Sequence, residues 1–434
     1  MGFFLTILYS CIFAFVIYKW KFFDDNEIGK SWFVAAFGLK LLFSVLLTLI
    51  YTYYYTDRST SDIYKYFDDS KIMFDALKNH PTDYFKMLFG IDNDTIYFDE
   101  TYYKKMIFWY RVYNSNLFSD SHIIIRFNAF IRLFSFGHIY VHNVFINFIS
   151  LLGLMALFRF FKPLFIQNAK VLFYALFLIP SVLFWGSGLL KEGLILFGLG
   201  FLLLSIQQLF IKLKWYHLPL IAASVVVLLY SKPYVIAALS SPMLAHLIYK
   251  KLTPNKPILS FVYSFGSLTA FISAIVLFTG KYSPFDIIID KQREFINHIT
   301  IYKTNSSFEI PELSNWFSII KYTPNAWLNT FIRPYLWESK SPFVLLSSLE
   351  NLLFIGLFMV VLFFPNKKRE HLFYIIFCLS FVFVLFTIIG LMIPIFGALV
   401  RYKVPALPFL AIALLLLIDF NKLTTKYPFL KKFL

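Results

Sequence analysis

Charged residues are scarce in this chain. Asp, Glu, Lys and Arg together supply 15% of its 434 residues, whereas hydrophobic residues supply 59%. A soluble domain carries about 25% charged residues. The apolar residues form blocks of roughly 16 to 22 residues, the length that a helix needs to cross a bilayer core. The shortage of charge excludes a soluble globular domain, and the lack of short alternating segments excludes a transmembrane barrel.

Cysteine and several common enzyme motifs are also rare or missing. The two cysteines, Cys11 and Cys378, both lie in apolar blocks, so they are membrane-embedded thiols that indicate no redox compartment. The sequence has no Walker P-loop, no His-Glu-x-x-His pair, no clustered Cys and His, and no Gly-x-Ser-x-Gly elbow. These absences argue against a P-loop ATPase and against the common zinc and serine hydrolases.

Positive charge is the one kind of charge in excess, with a formal net charge of +16. In a soluble protein this value would suggest nucleic acid. Here the basic residues gather in short loops between apolar blocks, where Lys and Arg set membrane topology. We therefore expect no nucleic-acid partner and a membrane-lipid environment.

The apolar blocks predict an all-α integral membrane protein with about eleven spanning helices. The predicted spans are 3–18, 32–53, 139–158, 171–186, 189–210, 216–231, 234–249, 258–279, 346–363, 372–390 and 404–419.

Alternate connections between these spans are basic. They cover residues 19–30, 159–170, 212–214, 250–256, 367–369 and 422–432. The positive-inside rule assigns them to the cytoplasm, which predicts an N-terminus outside and a C-terminus inside. We interpret residues 1–434 as one polytopic membrane domain.

Two long connections then fall on the outer side, at 54–138 and 280–345. The stretch HIIIRFNAFIRLF at 122–134 alternates apolar residues with Arg126 and Arg132. This pattern predicts a helix in the membrane interface with its arginines among the headgroups. Residues 284–299 and 313–321 have similar patterns. An ordinary packed loop helix is the alternative for each.

The first outer connection opens with DRSTSDIYKYFDDS at 57–70, which supplies Asp62, Asp68 and Asp69 just after the second span. A carboxylate here could act as general base on an acceptor hydroxyl or hold a divalent metal. On a helix, Asp62 and Asp69 would share a face, with Tyr66 between them. The alternative is that these acids are simply solvated. No cofactor is certain.

Charged residues also follow a helix break in PSVLFWGSGLLKEGL at 180–194, where Lys191 and Glu192 begin an apolar run. Charges at this depth usually face a cavity or a partner. They could pair with other helices, and Lys191 could bind a phosphate. Snorkelling to the interface is the alternative.

Two further outer motifs carry cations. TFIRPYLWES at 330–339 contains Arg333, Trp337 and Glu338. Arg suits phosphate or carboxylate, and Trp can stack on a sugar ring, although an aromatic belt gives the same pattern. GALVRYKVPALPFL at 397–410 places Arg401 and Lys403 outside, against the charge bias. An anionic headgroup or pyrophosphate would explain this, and so would a local ion pair.

The Ser61-Asp62-x-x-x-Tyr66 opening of a large outer loop, followed six helices later by a second such loop, resembles polytopic glycosyltransferases of the GT-C type. The resemblance implies that Asp62 is the catalytic base, with Asp68 or Asp69 as the fallback. The motifs around Lys191, Arg333 and Arg401 resemble bacterial membrane proteins of polysaccharide gene clusters.

The resemblance implies transfer of a sugar from a polyprenyl-phosphate-linked donor to a glycan or lipid acceptor at the outer face of the bacterial inner membrane. Two alternatives stay open. One is an O-antigen-type polysaccharide polymerase or ligase, which relies more on arginines than on an Asp. The other is a lipid-linked glycan flippase or other transporter.

Overall fold

The structure is a computed structural model that describes all residues except 56, 59–60, 111–118, 167, 213, 280–282, 303–305, 340, 369 and 433–434. Within the described residues the regular structure is helical, and the only β-type pairs are isolated bridges, Ser307 with Ile395 and Pro365 with Ile418. The all-α prediction is therefore confirmed for this part of the chain. Residue 369, the last of the predicted basic connection at 367–369, lies outside the described residues.

The chain divides into two compact units. The first unit comprises residues 1–178 and 182–233, and the second comprises residues 179–181 and 234–434. The prediction of one polytopic domain stays a prediction.

The first unit is built from helices α1 to α11, of which α9 begins in residues assigned to the second unit. Their bounds are α1 Gly2–Lys19, α2 Lys30–Tyr53, α3 Asp62–Asn79, α4 Pro81–Phe89, α5 Ile96–Thr101, α6 His122–Ser135, α7 Ile139–Phe161, α8 Ala169–Phe177, α9 Pro180–Trp185, α10 Lys191–Ile211 and α11 His217–Ser231.

The second unit is built from helices α12 to α20. Their bounds are α12 Pro233–Lys251, α13 Pro257–Thr279, α14 Pro284–Tyr302, α15 Trp316–Ile332, α16 Pro342–Phe363, α17 Leu372–Met392, α18 Phe396–Lys403, α19 Leu407–Leu416 and α20 Phe420–Lys426.

Seven helices within the described residues are long and apolar enough to cross a membrane: α1, α2, α7, α10, α13, α16 and α17. The pair α18 and α19, bent by 57°, gives an eighth if it counts as one span. The chain is therefore a multi-pass membrane protein. The predicted span at 171–186 is divided between the short helices α8 and α9, and the count of eleven stays a prediction.

Helix α7 is the centre of the first unit, with 78% of its apolar stretch buried. It packs closely on α10 because glycines lie where the two backbones meet. A Cβ atom on Gly200 would overlap the carbonyl of Gly153, and one on Gly153 would overlap the Leu196 carbonyl and the Phe197 backbone. Small residues allow the two backbones to approach closely. The resulting van der Waals packing holds the helices together in lipid, where no hydrophobic driving force acts between them.

The helix at 122–134 is observed as α6, but the prediction that its arginines lie among headgroups is wrong for Arg132. Arg132 is only 4% exposed and donates from Nε to Ser70 Oγ at 2.8 Å, which ties α6 to α3. Arg126 donates from Nε to the Met87 carbonyl at 2.8 Å. The Arg132 guanidinium is therefore engaged inside the unit, and Arg126 remains partly exposed. The exposed side chains of α6 are instead aromatic or aliphatic, among them Phe130 and Phe134.

In the second unit, α14 covers the predicted stretch at 284–299 and α15 covers most of the one at 313–321, and their location in the membrane interface stays a prediction. Helix α15 packs tightly on α17, because a Cβ atom on Gly390 would overlap the Ala326 carbonyl. The opposite side of α15 exposes Trp316, Phe317 and Ile320 by 58% to 62%. This helix is therefore packed on one side and presents a broad apolar side outward.

Candidate functional site

Helix α3 opens the first long connection and carries all four predicted residues of its motif. Asp62 lies in the first turn and is partly exposed, and Tyr66 lies one turn later with 2% exposure. Because side chains four residues apart share a helix face, Asp62 and Tyr66 point to the same side of α3. Asp69 lies on that side as well, seven residues after Asp62.

Asp69 anchors a later stretch of the chain. Its Oδ1 accepts a hydrogen bond from the Ile107 amide at 2.8 Å, and its Oδ2 accepts one from the Phe108 amide at 2.7 Å. Burial raises the pKa of this carboxyl to about 6, although the two amide bonds act in the opposite direction. Both oxygens are committed to backbone, so Asp69 fits a structural role better than that of a general base.

The Asp68 carboxylate pairs with an arginine side chain. Arg58 donates to it from Nε and from Nη2, each at 2.7 Å, which makes a bidentate pair. The Arg58 guanidinium also lies 3.9 Å from the ring centroid of Tyr64. The two side chains are 54% and 35% exposed, so the pair is a surface contact that fixes the start of α3.

Lys191 reaches the same side of α3 from the start of α10. Its Nζ lies 2.7 Å from Asp120 Oδ2 and 5.8 Å from the ring centroid of Tyr66. The Lys191 side chain is 7% exposed and that of Asp120 is 19% exposed. Lys191 therefore does not snorkel to solvent; its ammonium lies in a shielded cluster with Asp120 and Tyr66. Asp62 lies one turn before Tyr66 on the same side of α3.

Glu192, the next residue, forms a fully buried ion pair. Lys232, just after α11, donates from Nζ to Glu192 Oε1 at 3.0 Å, and the side chains are 1% and 0% exposed. Buried pairs of this kind fix geometry, and the loss of one partner is strongly destabilising. The sequence predicted that Lys191 and Glu192 could have partners but identified neither Asp120 nor Lys232.

The turn between α9 and α10 is held by side chains from two other helices. Lys40 of α2 donates from Nζ to the Gly186 carbonyl at 2.9 Å and to Ser187 Oγ at 3.2 Å. Asn147 of α7 donates from Nδ2 to the Ser187 carbonyl at 2.9 Å.

In the second unit, Arg333 and Glu338 pair with each other across a short turn. Arg333 Nε donates to Glu338 Oε1 at 2.9 Å, and the Tyr335 amide donates to Glu338 Oε2 at 2.9 Å. Trp337 is 81% exposed, and its ring stacks on Tyr335 with centroids 4.7 Å apart and an angle of 14° between the planes. The turn thus presents an aromatic platform beside a paired arginine.

Lys403 and Arg401 lie on α18 of the second unit. Lys403 is 1% exposed and donates from Nζ to Asn351 Oδ1 at 2.9 Å and to the Arg333 carbonyl at 3.4 Å. The Lys403 ammonium thus makes its hydrogen bonds inside the second unit and does not face a headgroup. Arg401 is partly exposed on the same helix. Sequence reasoning missed Asn351, since an Asn in an apolar span gives no pattern of its own.

The predicted site residues thus fall into two clusters, one in each unit. Asp62, Tyr66, Lys191 and their neighbours form the first, and the Arg333 turn with α18 forms the second. Among the residues that the structure describes, no group of three or more His, Cys, Asp or Glu side chains could hold a metal ion. No residues are assigned to a divalent metal, and the need for one stays an untested expectation.

Comparisons with protein-family models, with curated proteins and with solved structures found no match for this chain. The resemblance to GT-C enzymes therefore rests on the sequence motifs and stays a prediction.

Proposed function

We propose that this chain is a membrane glycosyltransferase that uses a polyprenyl-phosphate-linked sugar donor in the synthesis of a cell-surface glycan. One observation carries the proposal: the lysine that begins α10 lies against Tyr66, on the side of α3 that also bears Asp62. A carboxylate and a shielded cation on one surface are the two groups that such a transfer needs.

In the proposed reaction Asp62 is the general base. An acceptor hydroxyl attacks the anomeric carbon, Asp62 takes the hydroxyl proton, and the bond from that carbon to the phosphate oxygen breaks with inversion. Asp68 and Asp69 are weaker candidates because Arg58 and two backbone amides engage their oxygens. Asp62 is favoured because it opens α3 on the side of Tyr66 and Lys191, whereas Asp68, two residues after Tyr66, points away from that side.

Lys191 is the proposed contact for the leaving phosphate. The leaving group gains negative charge as the bond breaks, and a cation in a shielded site stabilises that charge more than one in water. The donor phosphate would replace Asp120 as the partner of Lys191. Tyr66, against which Lys191 lies, would position the sugar.

The second unit has proposed sugar and phosphate contacts of its own. Trp337 offers a flat, exposed ring, and sugar rings stack on such surfaces. Arg401 and Arg333 would bind phosphate or pyrophosphate. Glu338 and Lys403 hold the surrounding turn and helix through their contacts with Arg333 and Asn351.

We infer the location and orientation of the chain from its basic loops. The chain would lie in the bacterial inner membrane with about eleven spans, its N-terminus outside and its C-terminus in the cytoplasm, as the basic loops predict. Both long connections would then face the outer side, where lipid-linked sugars are used.

The test uses purified protein in lipid vesicles that contain radiolabelled polyprenyl-phosphate and polyprenyl-pyrophosphate glycans from the host. Transfer of one sugar to an acceptor would support the proposal. A ladder of long products that requires Arg401 would identify a polymerase or ligase. Movement of the lipid-linked glycan across the bilayer with no covalent product would contradict the proposal and support a transporter.

A further inference from the structure

Lys40 is a buried lysine in the middle of a membrane-spanning helix. It lies on α2, is 1% exposed, and its hydrogen bonds go to the Gly186 carbonyl and to Ser187 Oγ. An ionisable side chain within a span is costly and is usually kept for function. Both of its bonds end on the turn that joins α9 to α10.

Asn147 holds the same turn from a second helix. It lies on α7, is fully buried, and donates to the Ser187 carbonyl. Its neighbour Asn143, one turn earlier on α7, donates from Nδ2 to Thr48 Oγ1 of α2 at 2.9 Å. The two clamping helices are therefore linked to each other beside the turn.

The clamped turn has little freedom and leads directly into the candidate site. The Leu190 amide donates to the Gly188 carbonyl at 2.7 Å, which closes the turn just before α10 begins. A Cβ atom on Gly188 would overlap the buried side chain of Leu47 on α2. Lys191 follows Leu190 directly and is the first residue of α10, so a shift of the turn moves Lys191 with it.

We propose that Lys40 and Asn147 are positioning residues, which hold the α9–α10 turn so that the Lys191 ammonium stays at Asp120 and Tyr66. Lys40 satisfies a carbonyl at the end of α9, which would otherwise lie unpaired in the membrane. Asn147 satisfies the next carbonyl of the same turn, that of Ser187. The role of Lys191 toward phosphate rests on the proposed function, whereas the positioning itself does not.

Amine-reactive labelling read by mass spectrometry tests the clamp directly. In the unchanged protein, Lys191 should react slowly because it is shielded and paired with Asp120. Lys40→Met should raise its labelling rate by at least about fivefold, the factor that one lost hydrogen bond gives. Asn147→Leu should act in the same direction. Lys40→Arg keeps the donors and should restore most of the protection.

Two controls separate a moved turn from an unfolded chain. Lys162, at the far end of α7, pairs with Asp25 and Glu27 and should keep its labelling rate in every variant that folds. Lys403→Met removes a buried lysine from the second unit and should leave Lys191 protected. Unchanged Lys191 labelling in both Lys40→Met and Asn147→Leu would overturn the inference, as would Lys40→Arg behaving like Lys40→Met.

A second arm separates this inference from the proposed function. The unchanged protein is labelled in phosphatidylglycerol vesicles with and without polyprenyl phosphate. A lower labelling rate of Lys191 in the vesicles that contain polyprenyl phosphate than in those that lack it supports the phosphate role of Lys191. No protection in the unchanged protein, together with faster labelling in Lys40→Met, contradicts the phosphate role and supports the clamp.

Discussion

Lys191 Nζ lies 2.7 Å from Asp120 Oδ2, in a cluster where both side chains are largely shielded from solvent. The pair joins the first residue of a membrane-spanning helix to the chain just before α6. Because shielding from solvent strengthens electrostatic contacts, this lysine interacts strongly with whichever anion occupies the position of the Asp120 carboxylate. In the proposed reaction that anion changes from a carboxylate to the donor phosphate.

Replacement of Lys191 by methionine should therefore lower the rate of transfer. We expect a loss of about 10² to 10³ in kcat, the range found when one group that stabilises developing charge is removed. Lys71→Met is the matched control, since Lys71 is 66% exposed on α3 and pairs with Asp75 of the same helix. Initial-rate measurements with a fixed donor would compare the two, and equal rates would rule out a phosphate contact at Lys191.

The Asp69 anchor should make stability depend on pH. Burial raises the pKa of this carboxyl from 3.8 to about 6. Between pH 3.8 and about 6 the folded chain holds a proton on Asp69 that the unfolded chain has lost. The stabilisation from Asp69 is therefore greatest below pH 3.8, and it decreases as the pH rises to about 6. Melting curves of the purified protein from pH 4 to 7 would measure it.

Asp69→Asn is the comparison for that experiment. An Asn has one acceptor oxygen, so one of the amides of Ile107 and Phe108 loses its partner at a cost of about 1–3 kcal/mol. The variant should melt lower than the unchanged protein and should lack the decline between pH 4 and pH 6. The same decline in both proteins would place its source in another group.

The contact of α7 with α10 should tolerate no added methyl group. Gly200→Ala would put a Cβ atom onto the Gly153 carbonyl, and overpacking of this kind costs about 1–3 kcal/mol. Gly38→Ala is the matched control in the same unit, because nothing lies within 4 Å of its added Cβ atom. Thermal unfolding in detergent should show a lower melting temperature for Gly200→Ala alone.

Trp337 and Arg333 should behave differently although they lie in one turn. Trp337 is 81% exposed, so Trp337→Ala should leave the melting temperature unchanged and raise the KM for a glycan substrate. Arg333→Ala should lower the melting temperature, because it leaves Glu338 without its ion pair. Unchanged KM in Trp337→Ala would indicate that this ring belongs to an aromatic belt.

Parts of this structure could be predicted from the sequence because they depend on local pattern. Long apolar blocks predicted helices such as α2, α7 and α17 with bounds close to those observed. Hydropathy gave no sign of the break between α8 and α9, since the residues on both sides of it are equally apolar.

The partners of the candidate residues could not be predicted in the same way. Lys232 lies 40 residues from Glu192, and Ser187 lies 147 residues from Lys40. Such pairs depend on how helices pack, and no periodic pattern joins positions so far apart. For the same reason Arg132 was expected to face the headgroups, whereas it contacts Ser70 on α3.

The most direct test of the central claim compares Asp62→Asn with Asp68→Asn in single-sugar transfer from a polyprenyl-phosphate donor. Both changes remove one carboxylate charge from α3, and Asp68 is the control because its oxygens are held by Arg58. We predict that Asp62→Asn abolishes transfer at normal protein levels and that Asp68→Asn keeps most of it. Full activity in Asp62→Asn would contradict the account.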